Sequence, residues 1–130
     1  MPSIFSRIVA GEIPCYKIAE NNEFFAFLDI NPMTDGHTLV IPKQEIDYLF
    51  DIDDEMLGRM MKFAKMVACA IEKAIPCKRI GLAVIGLEVP HAHIHLIPIQ
   101  KESDMHLGTK KLEKTSEELV RTATLIREQL

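Results

Sequence analysis

Tryptophan is absent from this sequence and tyrosine occurs only twice, so its core must be packed from aliphatic side chains, methionine and phenylalanine. Cysteine is scarce: Cys15, Cys69 and Cys77 make an odd number with no ligand or redox spacing. That argues against a disulfide scaffold and fits reduced thiols in a cytoplasmic compartment. No apolar run approaches the roughly 20 residues that cross a bilayer. The opening Met-Pro-Ser-Ile-Phe-Ser-Arg carries no apolar stretch behind a basic one, so neither a membrane span nor a signal peptide is expected. A basic excess is lacking too. The formal charge is −4, with both signs mixed along the chain. Proteins that live on nucleic-acid phosphates carry a positive surplus, so no DNA or RNA partner is expected, whereas a single phosphate group needs only local donors. There is no internal repeat and no low-complexity tract, and the 130 residues suit one compact domain, 1–130.

Periodicity supplies the elements. Ser3 can cap a short helix bearing Ile4, Phe5, Ile8 and Val9, which Gly11 stops. Tyr16 to Ala19, Phe24 to Leu28 and His37 to Pro42 read as strands, with turn signals at Asn31-Pro32 and Asp35-Gly36. From about Asp54 to Ile75 the period becomes helical, with Leu57, Met60, Met61, Ala64, Val67, Ala68, Ile71 and Ala74 as the apolar stripe and Pro76 as the stop. Arg79 to Ile85 and His91 to Ile99 read as two further strands. Lys101 to Leu112 reads as loop, and a Thr115–Glu118 capping box opens a last helix with Leu119, Val120, Ala123, Ile126 and Leu130 on one side. Three strands, a long helix and two more strands do not alternate as β-α-β-α. The expectation is an α+β domain around a mainly antiparallel five-stranded sheet, with shorter terminal helices.

The chemistry is concentrated in His91-Ala92-His93-Ile94-His95, which holds three of the five histidines. Strand alternation puts the imidazoles on one face and Ala92, Ile94 and Leu96 on the other. Three uses compete for such a row. A metal site is one, although three successive same-side positions span about 13 Å and converge poorly on one ion. Satisfied polar groups at a sheet surface are another. The third is covalent catalysis, in which a neutral imidazole attacks phosphorus and its neighbours orient it and stabilise charge.

The stretch His91-Ala92-His93-Ile94-His95-Leu96-Ile97 resembles the His-φ-His-φ-His-φ-φ motif (φ apolar) of the histidine-triad, or HIT, nucleotide hydrolases and transferases. Further blocks are similar in the same order: Ile4–Ile8 with Gly11-Glu12-Ile13-Pro14, Phe27–Pro32, and Gly36–Lys43. The resemblance implies the HIT fold and attack by His93 on the α-phosphorus of a purine nucleoside phosphoramidate or (di)nucleoside polyphosphate. A nucleotidyl-histidine forms, and water releases the nucleoside monophosphate. It further implies that His95 contacts phosphate oxygens and the leaving group, that His91 orients His93, and that His37 completes the cluster. Asp29 would accept the ribose hydroxyls, with Ile4, Phe5, Ile8, Phe27, Ile30 and Leu39 forming an unselective purine slot. Gly86, Glu88 and Val89 would turn backbone N–H groups towards the phosphate. Two copies would pair through the long helix and a strand edge. The alternative is a nucleotide-binding module with negligible turnover.

Two departures from the family matter. Many bacterial relatives carry a structural zinc on a Cys-x-x-Cys and histidines. Here Ser3, Ser6 and Glu45 stand at the corresponding positions, so no metal or other cofactor is expected and packing must order the N-terminus. The approach to the triad, Gly81 to Pro90, also looks shortened, with Leu87 where glutamine is common.

Overall fold

The computed structural model describes residues 2–109 and 111–130. Its strands are β1 (Lys17–Glu20), β2 (Phe24–Leu28), β3 (Thr38–Pro42), β4 (Arg79–Ala83) and β5 (Ile94–Ile99). They form one sheet in the order β1-β2-β3-β5-β4, every neighbouring pair antiparallel. The helices are α1 (Ile4–Val9), α2 (Asp54–Ala74) and α3 (Ser116–Arg127), with 3-10 turns at Leu49–Asp51 and Glu102–Met105. No helix among the described residues is long and apolar enough to cross a membrane.

The centre of the sheet, β2 and β3, is buried on both faces. On one, Phe24, Ala26, Leu28, Val40, Ile94 and Leu96 pack against α2 and α3. On the other, Phe25, Phe27, Leu39 and Ile41 pack against Phe5 of α1. Strand β2 alternates between the two, which is why Phe-Phe-Ala-Phe-Leu reads as a continuous apolar run. The caps are as their residues dictate: Ser3 accepts from the Ser6 N–H, Asp53 from Met56, and Thr115 forms a reciprocal box with Glu118. Gly11, at φ +82°, follows the end of α1.

Several expectations need correction. The α2 stripe is centred on Met56, Met60, Phe63, Val67 and Ala70, while Met61 is 46% exposed. Alternative stripes one residue apart on a methionine- and alanine-rich helix are nearly equal in hydrophobicity, and contact with both α3 and the sheet selects between them. In α3 only Leu119, Ala123 and Ile126 are buried; Val120 and Leu130 face solvent. The segment expected to be loop, of which Lys110 lies outside the described residues, contains the Glu102–Met105 turn, held by Asp104 accepting from the Gln100 and Lys101 N–H groups. Finally, β5 starts at Ile94 rather than His91. Pro90 has no N–H, the His91 N–H turns back to Val89, and Ala92 donates to Ile46 instead of to β3.

Candidate active site

Four of the five histidines meet where the end of β2, the start of β3 and the entry to β5 adjoin. His37 is delivered by the tight Asn31–Gly36 turn. There the Asp29 N–H donates to the His37 carbonyl, the His37 N–H donates to Thr34, and Asp29 Oδ1 accepts from Asn31. Gly36 closes the turn at φ +92°, where a Cβ would stand 3.0 Å from Ile75 Cγ1. His37 and His91 are essentially inaccessible, His93 is buried, and His95 is half-buried. Alternation survives the late start of β5, because His91 and His93 both touch the Phe5 ring and His93 stacks edge-on to His95, centroids 4.9 Å apart.

Backbone groups determine which nitrogen of each ring carries its proton. The Met33 N–H donates to His37 Nδ1 at 3.0 Å, so the neutral ring is protonated at Nε2. That Nε2–H lies 2.9 Å from His95 Nδ1 and 3.8 Å from Asp29 Oδ2, so His95 receives it. His95 is thereby protonated at Nε2. His93 runs the other way: its Nδ1 is 2.8 Å from the His91 carbonyl, which can only accept, so Nδ1 holds the proton and Nε2 a lone pair. His91 donates from Nε2 to the Pro42 carbonyl at 2.8 Å and accepts at Nδ1 from Ser3 Oγ at 2.7 Å. Among the described residues neither His93 Nε2 nor His95 Nε2 has a protein partner, and neither belongs to a set of sealed, unsatisfied atoms. Both reach solvent, one as an acceptor and one as a donor.

Burial disfavours the charged forms. It lowers His37 from 6.5 to about 4, aided by the charges of Lys111 and His93. His95 is likewise lowered to about 4, by burial first and then by His37 and His93. Burial also lowers His91.

Two groups of side chains resemble ligand sets. Asp29, His37 and His95 bring one donor atom each within 4.8 Å of one another. The Met33 N–H argues against a metal there, since it occupies His37 Nδ1 and leaves a proton, not a lone pair, on Nε2. The second group is Ser3, Ser6, Glu45 and His91. Glu45 Oε1 accepts from the Ser3 N–H at 2.6 Å and from Ser6 Oγ–H at 2.7 Å, and Ser3 Oγ is 2.7 Å from His91 Nδ1. Two ligands of a tetrahedral zinc stand roughly 3.4 Å apart. The Ser3–Ser6 and Ser6–His91 side-chain separations, 3.4 and 3.5 Å, are of that size, but the 2.6–2.7 Å contacts are hydrogen bonds, and two alcohols beside a carboxylate are poor zinc donors. The residues do not fit a zinc, and the N-terminus is ordered by hydrogen bonds as well as by packing.

The remaining expected positions divide. Phe5, Phe27 and Leu39 are buried together, with Ile8 and Val89 half-buried against them. Ile4 and Ile30 lie outside that cluster, 49% and 59% exposed at the surface. Phe25, Ile41 and Cys15 belong to the cluster but were not anticipated; their positions on or beside β1–β3 were the available signal. Asp29 is half-buried with Oδ2 turned to His37. Gly86 has φ +74°, Glu88 is exposed, and the 86–89 N–H groups enter no backbone bond among the described residues. Met33, Pro42 and Ser3 bond the imidazoles directly, Ser6 and Glu45 bond Ser3, and the sequence alone names none of them in that role.

The HIT domain profile matches residues 10–102. The chain belongs to the HIT family. It is 40% identical over 100 residues to an adenosine 5′-monophosphoramidase of Saccharomyces cerevisiae, covering 76% of this chain and 63% of that one. It is 32% identical over 126 residues to an adenylylsulfatase of Arabidopsis thaliana, covering 93% and 64%. The chain thus spans just under two thirds of each. Among solved structures, a Hit-like protein of Bartonella henselae superposes with a TM-score of 0.85 at 32% identity, covering 98% of this chain and 96% of that one. The α+β architecture is that of the HIT fold.

Proposed function

We propose that this HIT protein is a nucleotide hydrolase or transferase acting at the α-phosphate of a purine nucleoside phosphoramidate or (di)nucleoside polyphosphate. One observation carries the proposal: His93 holds its proton on Nδ1 against a carbonyl and turns a free Nε2 lone pair outward, beside a His95 that turns out an N–H. A nucleophile and a donor with fixed, opposite polarity suit displacement at phosphorus. His93 Nε2 forms a bond to the α-phosphorus as the bond to the leaving group breaks. The leaving group departs hydrogen-bonded to His95 Nε2–H: sulfate or pyrophosphate leaves as an anion, and an amine leaves neutral, its nitrogen taking a proton from solvent as the bond to phosphorus breaks. In the second half, water bonds to phosphorus and gives up a proton to solvent, and the phosphorus–Nε2 bond breaks to release nucleoside monophosphate and return the lone pair to His93. The low proton affinity of His95 keeps it a neutral Nε2–H donor throughout.

Asp29 Oδ2 is free to accept ribose hydroxyls, and the base lies along the Phe5, Phe27 and Leu39 side, with Ile4, Ile8 and Ile30 at its margin. The Gly86, Glu88 and Val89 backbone meets the phosphate. Residues 1–130 act as one HIT domain, in the cytoplasm, consistent with free cysteines. The working unit is a homodimer. Strand β4 is a sheet edge, and beside it Met61, Ala68, Ile80 and Leu82 line an apolar groove of about 380 Å³.

The test is a covalent adduct. Wild type and His93→Ala are mixed with an adenosine 5′-phosphoramidate, quenched in base and weighed. A nucleotidyl mass present only in the wild type supports the proposal. Binding with neither adduct nor product refutes it in favour of a nucleotide-binding module, the reading that Leu87 in the 86–89 loop would then explain.

A further inference from the structure

We infer that Ser3, Ser6 and Glu45 are positioning residues, a metal-independent clamp that locks His91 and, through its carbonyl, aims His93. The inference rests on His93 being the nucleophile. Its starting point is the polarity of a network, buried at Ser3 and His91 and exposed at Glu45, that joins α1, the segment after β3 and the entry to β5. The Ser6 N–H donates to Ser3 Oγ at 3.0 Å, so that oxygen is already an acceptor and its own proton is free for His91 Nδ1 at 2.7 Å. The Ser6 hydroxyl proton goes to Glu45 Oε1, which leaves Ser6 no competing claim on His91, 3.5 Å away. Glu45 also accepts from the Ser3 N–H and so fixes both serines with one oxygen.

With Nδ1 taken, His91 can only present Nε2–H to the Pro42 carbonyl, and the ring is pinned at both nitrogens. His91 is fully buried, so loss of either partner would leave a polar atom without solvent to replace it. Its carbonyl is the acceptor for His93 Nδ1–H, two residues on. That contact gains in strength when Nε2 bonds to phosphorus, because the ring becomes cationic and the hydrogen bond charge-assisted. An acceptor allowed to drift would therefore cost more in the transition state than in substrate binding, which predicts an effect on kcat rather than KM.

Wild type, Ser3→Ala, Glu45→Ala, Glu45→Gln and His93→Ala are compared in steady-state hydrolysis of an adenosine 5′-phosphoramidate. The imidazole nitrogens are read in parallel by long-range 15N–1H NMR. Misplacing a reacting group by about 1 Å can cost on the order of 100-fold. Ser3→Ala and Glu45→Ala should lower kcat by roughly 10- to 100-fold with KM little changed, and His91 should lose its single Nε2-protonated form. Glu45→Gln keeps an oxygen for both donors and should recover most of the loss. Glu45→Ala also leaves the Ser3 cap of α1 intact, so a deficit shared with Ser3→Ala is not a capping defect.

Full kcat in both alanine variants, a loss confined to KM, or an unchanged His91 spectrum would overturn the clamp. So would one equivalent of zinc in the wild type that Glu45→Ala loses. If the wild type binds nucleotide without hydrolysing it, the nucleophile assignment fails. The His91 spectrum of Ser3→Ala then still decides whether the network holds that ring.

Discussion

Acid should destabilise this protein in a pH window set by buried imidazoles. His37 is held at about 4 against an ordinary 6.5, chiefly by burial. Above pH 6.5 neither the folded nor the unfolded chain protonates this group, and stability does not depend on it. Below 6.5 the unfolded chain takes up a proton that the folded one refuses until about pH 4. Stability therefore falls as pH falls between those values and then levels. Integrated from pH 7.5 to 4.5, the loss from His37 is about 2.5 kcal/mol. With the usual unfolding entropy for a chain of this size, that is roughly 9 °C in melting temperature. His95 and His91 shift in the same direction and add to it. The depressed carboxylates act elsewhere: Glu20, lowered from 4.5 to about 2, contributes stability above pH 4.5 that is lost only below it. The carboxylates begin to protonate in the unfolded chain by pH 4.5 but are common to both proteins, so comparing urea unfolding of wild type and a His37 variant from pH 7.5 to 4.5 isolates His37. In His37→Asn the amide oxygen can still accept from the Met33 N–H but nothing titrates. That variant should start less stable and show a slope reduced by about 2.5 kcal/mol over the same interval. Equal slopes in wild type and variant would refute the assignment of a buried, neutral His37.

Three further outcomes follow from specific contacts. Asp29→Ala should weaken a ribonucleotide substrate by about 1.5–3 kcal/mol in kcat/KM while leaving a 2′,3′-dideoxy analogue unaffected, as kinetics on both substrates would reveal. Gly36→Ala should lose at least about 1–2 kcal/mol in urea unfolding, because alanine is strained at positive φ. Its methyl would also meet Ile75 at 3.0 Å and Pro98 at 3.2 Å. Leu82→Asp tests the proposed homodimer by putting a charge at the open β4 edge, where Leu82 is 46% exposed beside the apolar groove; sedimentation velocity should report a dimer for wild type and a monomer for the variant.

What the sequence disclosed about the site, and what it hid, follows from the range of the interactions. Alternation assigned the three triad imidazoles to one face, even though β5 begins only at Ile94, because side-chain direction persists through an extended segment without ladder bonds. The family resemblance groups Phe5, Phe27 and Leu39 as an apolar set, on elements α1, β2 and β3 that local pattern makes legible. The residues that set tautomers could not. Ser3 looked like a helix cap, which it is. That its hydroxyl also reaches His91, 88 positions away, has no signature in spacing. Pro42 acts through a carbonyl and Met33 through an N–H, so neither side chain advertises the role. Glu45 was read as a poor metal ligand, a correct statement of what it lacks that concealed what it accepts.

The two hydrogen-bond chains explain why one row of like residues can do unlike work. One runs from the Met33 N–H through His37 to His95, and every step donates towards the open site. The other ends in a carbonyl at His91, so His93 must donate away from the site and keep a lone pair facing it. Both begin at backbone groups, which cannot rotate a proton as a hydroxyl can, and the polarity is therefore built in before any ligand arrives. Identical imidazoles become an acceptor and a donor only because their Nδ1 atoms meet opposite partners. Exchanging histidine for another residue at 37 should consequently disturb the tautomer of His95 as well as remove a ring. The burial that makes such errors costly also holds both chains in one arrangement.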